Sequence, residues 1–183
     1  MSLDGRIALI TGASRGIGAA TARRLARDGA HVILVARTVG ALEEVDDDIQ
    51  SAGGSATLVP LDLREHDKID HMAASIYERW KKLDILVGNA GILGELTPVS
   101  HLAPKIWDSI LQVNVTANWR LLRVFHPLLL QSDAGRAVFM TSGYSGGSQP
   151  FFGAYAAGQA ALESLVRTHA METAETSVRT NLF

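Results

Sequence analysis

The run Thr11-Gly12-Ala13-Ser14-Arg15-Gly16-Ile17-Gly18 carries the plainest chemistry in the chain. It lies between a short apolar run and an Ala-rich helical segment. Gly12 suits a sharp turn with positive φ. Gly16 lets backbone approach a pyrophosphate, and Gly18 lets the helix pack close to the strand. The start of the following helix offers free N–H groups and the positive end of a dipole to phosphate oxygens. No Gly-Lys-Ser/Thr follows, so the loop is not a Walker A loop. A dinucleotide's ribose is read at the end of the second strand, where an Asp or Glu binds a 2′-hydroxyl. Here the segment is Val35-Ala36-Arg37-Thr38, which has no acid. A guanidinium binds a 2′-phosphate that a carboxylate would repel. Arg37, with Arg15 as a second cation, therefore points to NADP(H) in preference to NAD(H).

The elements that must position this loop alternate in kind. Short apolar runs at 6–11, 31–36, 56–61, 84–88, 136–141 and 178–183 read as strands buried on both faces. Helical patterns at 17–27, 39–52, 65–81, 105–112, 115–131 and 155–173 fall between them. In the third, Ile69, Met72, Ile76 and Trp80 form one apolar stripe. Such alternation implies an α/β fold of the Rossmann type, a doubly wound parallel sheet with helices on both faces. Residues 1–183 read as a single dinucleotide-binding domain. Since the last run ends the sequence inside a core strand, the expectation is that the native chain continues past Phe183.

Composition narrows the function classes. The net charge is −2, so no broad basic surface advertises nucleic acid or anionic lipid. Absence of cysteine removes disulfides, thiolate zinc sites and cysteine nucleophiles, and fits a cytoplasmic protein. The N-terminus shows no signal-peptide pattern, and the apolar runs are too short to span a bilayer. The histidines form no ligand pattern: His66 and His71 are five apart, and His101 and His169 stand alone. The acidic run Glu43 to Asp48 lacks the glycine and spacing of a calcium loop and reads as a solvated helix face. No metal site is expected. Trp80, Trp107 and Trp119 read as packing residues.

Further motifs, in order, make the chain resemble the short-chain dehydrogenase/reductase family. Thr11 to Gly18 fits that family's TGxxxGxG pattern. Asp62-Leu63 follows the third strand, Asn89-Ala90-Gly91 fits the NAG motif after the fourth, and Asn114 fits the active-site asparagine. Ser142 and Tyr155 fit the family's serine and tyrosine in spacing. The resemblance covers the whole chain. It implies hydride transfer between nicotinamide C4 and a carbonyl or secondary-alcohol carbon. Tyr155 would then exchange a proton with the substrate oxygen, Ser142 would orient that oxygen, and Asn114 would hold a relay water. Cofactor contacts would come from Gly12, Ser14, Arg15, Gly16, Ile17, Gly18, Arg37, Thr38, Asp62, Leu63, Asn89, Ala90, Gly91, Tyr155 and Gln159.

One position departs from the pattern. The family motif is YxxxK, but here Tyr155 is followed four residues later by Gln159. The spacing puts both side chains on one helix face. A glutamine amide can still donate to and accept from ribose hydroxyls. It cannot supply the positive charge that favours phenolate over phenol. The expectation is slow chemistry with cofactor binding retained. The alternative is a non-catalytic NADP(H)-binding sensor or interaction protein. The substrate is not legible; its pocket wall, Ile92 to Glu95 and Gly143 to Phe152, is Gly-rich and mixed in polarity. The apolar 115–131 helix and the one after it suggest, by resemblance, a homodimer or homotetramer.

Overall fold

Strand β1 (Ile7–Thr11) is buried along its whole length, and every other element is arranged around it. The computed structural model describes residues 2–146 and 149–183. The strands are β1, β2 (His31–Ala36), β3 (Ser55–Pro60), β4 (Ile85–Gly88), β5 (Arg136–Phe139) and β6 (Arg179–Leu182). They form one sheet in the order β3-β2-β1-β4-β5-β6, and all pairings are parallel. Chain direction across the sheet therefore switches at β1 and β4. The crevice outside the carboxyl ends of those two strands is where open α/β sheets bind ligands.

The helices are α1 (Gly16–Arg27), α2 (Val39–Ser51), α3 (His66–Trp80), α4 (Pro104–Ile110), α5 (Ala117–Leu130) and α6 (Gly153–Glu172). Side chains of a strand alternate between faces, and β1 feeds both layers. Ala8 and Ile10 pack with Ala19, Ala22 and Ala26 of α1 and Leu42, Val45 and Ile49 of α2. Leu9 packs on the other face with Ile69 and Ile76 of α3, Leu121 and Phe125 of α5, and Leu162 and Val166 of α6. Alanines along α1 let that helix lie close to the sheet, which places its N-terminus directly over the end of β1.

The sequence reading of the sheet and its layers holds, with boundaries shifted by a residue or two. It differs between 104 and 131. Two helices with a break were expected, yet α4 runs without interruption through a π-helical segment, Leu111–Thr116, into α5. The amide of Ala117 bonds back to the carbonyl of Gln112, five residues earlier. Hydrophobic periodicity does not report such a one-residue slip, and π-turns recur at functional sites. Trp80 packs against the core as expected. Trp107 and Trp119 instead stand at the surface. The histidines are not all solitary: His169 Nε2 lies 3.2 Å from His126 Nδ1, joining α5 to α6. Among the described residues, no three potential ligands gather as a metal site, and no helix is long and apolar enough to cross a membrane.

Candidate active site

Gly12 has φ +64, and a Cβ there would stand 2.8 Å from Asn89 Nδ2. A Cβ on Gly18 would collide with the carbonyl oxygen of Gly12. These two glycines let the turn fold under the first turn of α1. Gly16 differs: its φ is +56 and nothing lies within 4 Å of the Cβ position. Its open side faces the cleft. Arg15 occupies the N-cap of α1 without a side-chain cap, so the early amides keep their donors for a ligand.

The end of β4 is clipped to this turn. Thr11 Oγ1 accepts from the amides of Asn89 and Ala90 at 3.0 and 3.1 Å and donates to the Val87 carbonyl at 3.3 Å. Asn89 Nδ2 donates to the carbonyls of Thr11 and Gly12 at 2.9 and 3.3 Å. Asn89 thus uses its amide donor to hold the glycine turn in place.

A cleft of about 740 Å³ opens over these strand ends. Gly12, Ser14, Arg15, Gly16 and Ile17 form one wall, and Arg37, Thr38, Asp62, Leu63 and Arg64 form the far end. Asn89, Ala90 and Gly91 line its floor. The Arg37 side chain is 64% exposed and its guanidinium lies 4.0 Å from Asp62. Arg64 grips Asp62 through Nε at 3.1 Å and Nη2 at 2.5 Å. The Arg64 guanidinium, with Arg37 beyond it, holds the Asp62 carboxyl down to about 2. Asp62 is therefore a fixed carboxylate whose charge is already matched by Arg64, which leaves Arg37 open to a second anion. Glu44 of α2 also borders the cleft.

A second cavity of about 390 Å³ continues from it. The two share Ile17, Asn89, Ala90, Gly91 and Ile92, so they form one trough running along the sheet edge. Asn114, Ser142, Tyr155 and Gln159 all line the second cavity. Asn114 sits in the π segment and is buried. Its side chain makes a reciprocal pair with one backbone residue: Nδ2 donates to the Ile92 carbonyl and Oδ1 accepts from the Ile92 amide, both at 2.9 Å. Its own carbonyl accepts from Asn118 Nδ2 at 2.9 Å. Ser142 follows β5, and its Oγ accepts from the Tyr144 amide at 3.3 Å. Tyr155 is in the first turn of α6. Gly158, between Tyr155 and Gln159, faces the π segment, and a Cβ there would meet Ile110 Cγ2 and Asn114 Cβ at ordinary contact distances of 3.4 and 3.6 Å.

The next turn of α6 ties the helix to β5. Thr141 Oγ1 donates to Glu163 Oε1 at 2.6 Å. Hydroxyls of Ser145 and Thr141 hold the Glu163 carboxyl below the usual range. This fixes the strand end carrying Ser142 against the helix carrying Tyr155.

The trough fits a dinucleotide on a specific test. Gln159 is 5% exposed, and its Oε1 is buried without a partner. Leaving a buried acceptor unpaired costs about 1–3 kcal/mol. A ribose hydroxyl reaching along the trough would supply the missing donor. The open Gly16 side and the uncapped α1 N-terminus do the same for phosphates.

Of the sequence-derived site residues, all but Gly18 line the trough; Gly18 is buried in α1 against the Gly12 carbonyl and supports the turn from beneath. The reading missed Asn118, Arg64, Thr141 and Glu163. Asn118 had a signal: a second asparagine one helical turn after Asn114. Arg64 had a weaker one, its i+2 spacing from Asp62. Of the expected substrate wall, Gly147 and Ser148 lie outside the described residues.

Comparison with known proteins agrees with this geometry. The family model described as short chain dehydrogenase matches residues 6–183. The chain is 38% identical to the uncharacterized oxidoreductase YciK of Escherichia coli, over 93% of this chain and 69% of that protein. It is 32% identical to an uncharacterized NAD-dependent oxidoreductase of Mycobacterium tuberculosis, over 98% of this chain and 70% of that one. A metagenomic short-chain oxidoreductase solved in complex with NADP superposes with TM-score 0.95 at 37% identity, over 100% of this chain and 82% of that one.

Proposed function

Because the chain belongs to the short-chain dehydrogenase family, we propose that it is an NADP(H)-dependent oxidoreductase acting on a carbonyl or secondary alcohol. The observation that carries this reading is the single trough joining the glycine turn to Ser142 and Tyr155. When bound, the nicotinamide supplies or accepts the hydride. The chain's own residues do the rest. The Tyr155 hydroxyl donates a proton to the substrate oxygen, or takes it back from an alcohol. The Ser142 hydroxyl hydrogen-bonds that oxygen and fixes its direction. Gln159 Oε1 accepts from a ribose hydroxyl and so sets the depth of the ring beside Tyr155. Asn114 acts indirectly, by holding the Ile92 backbone that forms the shared wall.

Preference for the phosphorylated cofactor rests on Arg37. It is exposed at the end of β2, and Arg64 already neutralises Asp62. Arg15 adds positive charge on the facing wall. The related proteins include one named NAD-dependent and one solved with NADP, so the test is direct: compare NADPH and NADH affinity before and after Arg37→Glu.

Gln159 favours a second reading, a cofactor-binding sensor without turnover. It offers hydrogen bonds but no charge to favour the Tyr155 phenolate. A panel of carbonyls incubated with NADPH separates the two readings, since a sensor binds the cofactor and leaves it reduced. Assembly through α5 and α6 belongs to the same proposal. Its support is the exposed Trp119 and Leu130 of α5 and Met171 of α6.

A further inference from the structure

The second cavity differs from the cleft beside it in one respect. Arg15, Arg37, Asp62, Arg64 and Glu44 border the cleft. Around the cavity, no Asp, Glu, Lys, Arg or His lines the wall among the described residues. Its polar groups are hydroxyls and amides. Ser142, Tyr155 and Gln159 have tasks in the proposed reaction, the Asn114 side chain is paired with Ile92, Thr141 donates to Glu163 and Asn118 donates to the Asn114 carbonyl. The remaining wall includes Leu93, Met140, Tyr144, Phe152 and Leu162.

The apolar side of this wall is built. The rings of Tyr144 and Phe152 stack with centroids 4.4 Å apart and planes 25° from parallel. Next to them Phe151 takes φ +72, a conformation that a bulky side chain adopts only when its surroundings enforce it. The enforcing contacts come from the loop after β4. The Thr97 amide donates to the Phe151 carbonyl at 3.3 Å. Val99 fills the space at Gly153, where a Cβ would stand 2.6 Å from Val99 Cγ2. The loops after β4 and β5 are thereby clasped to each other, and Leu93 of one and Tyr144 and Phe152 of the other present apolar side chains to the cavity. Leu93, which lines the cavity, is itself exposed at its rim.

We propose that the substrate is an uncharged carbonyl compound, or its alcohol, carrying an aromatic ring next to the reacting carbon. The proposal rests on the oxidoreductase reading and specifies its substrate. A carboxylate or phosphate in this cavity would be desolvated with no guanidinium or ammonium to meet it. A polyol would lose water from several hydroxyls for few free partners. An aryl group instead meets the Tyr144–Phe152 face, in the offset or tilted geometries that aromatic pairs prefer.

The test compares acetophenone, 4-acetylbenzoate and dihydroxyacetone as oxidants of NADPH. Acetophenone should exceed 4-acetylbenzoate in kcat/KM by about 100-fold, the scale of an unpaired charge taken from water. Leu93→Arg, at an exposed rim position, should move that ratio toward the carboxylate by about tenfold or more; general damage would lower both substrates alike. Equal use of 4-acetylbenzoate or dihydroxyacetone, with NADPH oxidised normally, overturns the substrate class and leaves the oxidoreductase reading standing. If no compound is reduced, that reading fails, and calorimetric binding of the same compounds to the NADPH-saturated protein decides the cavity's selectivity. Preference for acetophenone there supports the inference, and equal or reversed binding overturns it.

Discussion

Asn114 and Ile92 form a closed two-bond pair, amide to backbone, with both distances 2.9 Å. The pair joins the π segment to the loop after β4, at the point where the two cavities meet. A β-sheet ladder would make the same two bonds; here a single side chain makes them across 22 residues of sequence. The pair gives both polar atoms of this buried amide a partner at the centre of the site. Asn118 extends the arrangement by donating from Nδ2 to the Asn114 carbonyl at 2.9 Å.

Asn114→Ala removes both bonds and leaves an Ile92 N–H and C=O unpaired. The expected cost is about 1–3 kcal/mol of stability, together with weaker NADPH binding as the Gly91–Leu93 wall loosens. Chemical denaturation and a fluorescence titration read the two effects. An unchanged unfolding midpoint with unchanged NADPH affinity would show that the pair holds nothing.

Gln159→Lys should restore charge one helical turn from Tyr155. Each pKa unit by which an ammonium favours the phenolate is worth about 1.4 kcal/mol, or tenfold. Turnover near neutral pH should rise by about tenfold or more, and the basic limb of the pH–rate profile should move to lower pH. No gain on any carbonyl means that Gln159 does not limit the chemistry. Gln159→Leu should weaken cofactor binding instead, because Oε1 has no other partner.

Arg37→Glu places a carboxylate where the 2′-phosphate is expected. Loss of a charge-assisted bond, about 1.5–3 kcal/mol, corresponds to NADPH affinity falling roughly 10- to 100-fold. NADH affinity should hold or improve. An equal loss for both cofactors would locate the effect in the fold of the β2–α2 turn.

Asp84 anchors the opposite edge of the sheet. Its side chain is 1% exposed. It accepts from the Ile7 amide at 2.9 Å and the Ser132 hydroxyl at 2.6 Å, and pairs with Arg6 and Lys82 at 2.9 Å each. Burial pushes its carboxyl up, yet the bonds from Ser132, Ile7, Arg6 and Lys82 outweigh burial and leave it below the ordinary range. A carboxyl depressed in the folded state stabilises fully above its unfolded value, about 3.9, and that stabilisation is lost as pH falls through the folded value. Asp84→Ala should cost about 1–3 kcal/mol at neutral pH, since it leaves the Ile7 amide and the Ser132 hydroxyl without their buried acceptor, while Arg6 keeps Asp133. Urea unfolding from pH 7 downward should show the gap between variant and parent narrowing below about pH 4. A constant gap would mean that the carboxylate charge contributes nothing.

The alternation of apolar runs and amphipathic stretches was enough to read the sheet, because parallel strands buried on both faces are near-continuously apolar. The glycine turn was legible from its spacing between strand and helix, although the crowding at Gly12 comes from Asn89 and Ala90 at the end of β4. What stayed hidden depends on distance in space. The π segment leaves no periodic trace, since one slipped hydrogen bond scarcely rotates the apolar stripe. The Asn114–Ile92 pair, the Arg64 grip on Asp62 and the Thr141–Glu163 bond need three-dimensional neighbours to be seen. The uncharged wall of the second cavity was hidden in the same way. Residues 92–95 and 143–152 look mixed in polarity as a string, and only folding shows which of them face inward.

The measurement that bears most directly on the account is a titration of the protein with NADPH and with NADH, followed by NADPH oxidation in the presence of acetophenone. The expected result is saturable binding with NADPH tighter than NADH, and slow but enzyme-dependent oxidation. Absence of saturable binding by either nucleotide would contradict the assignment of the trough.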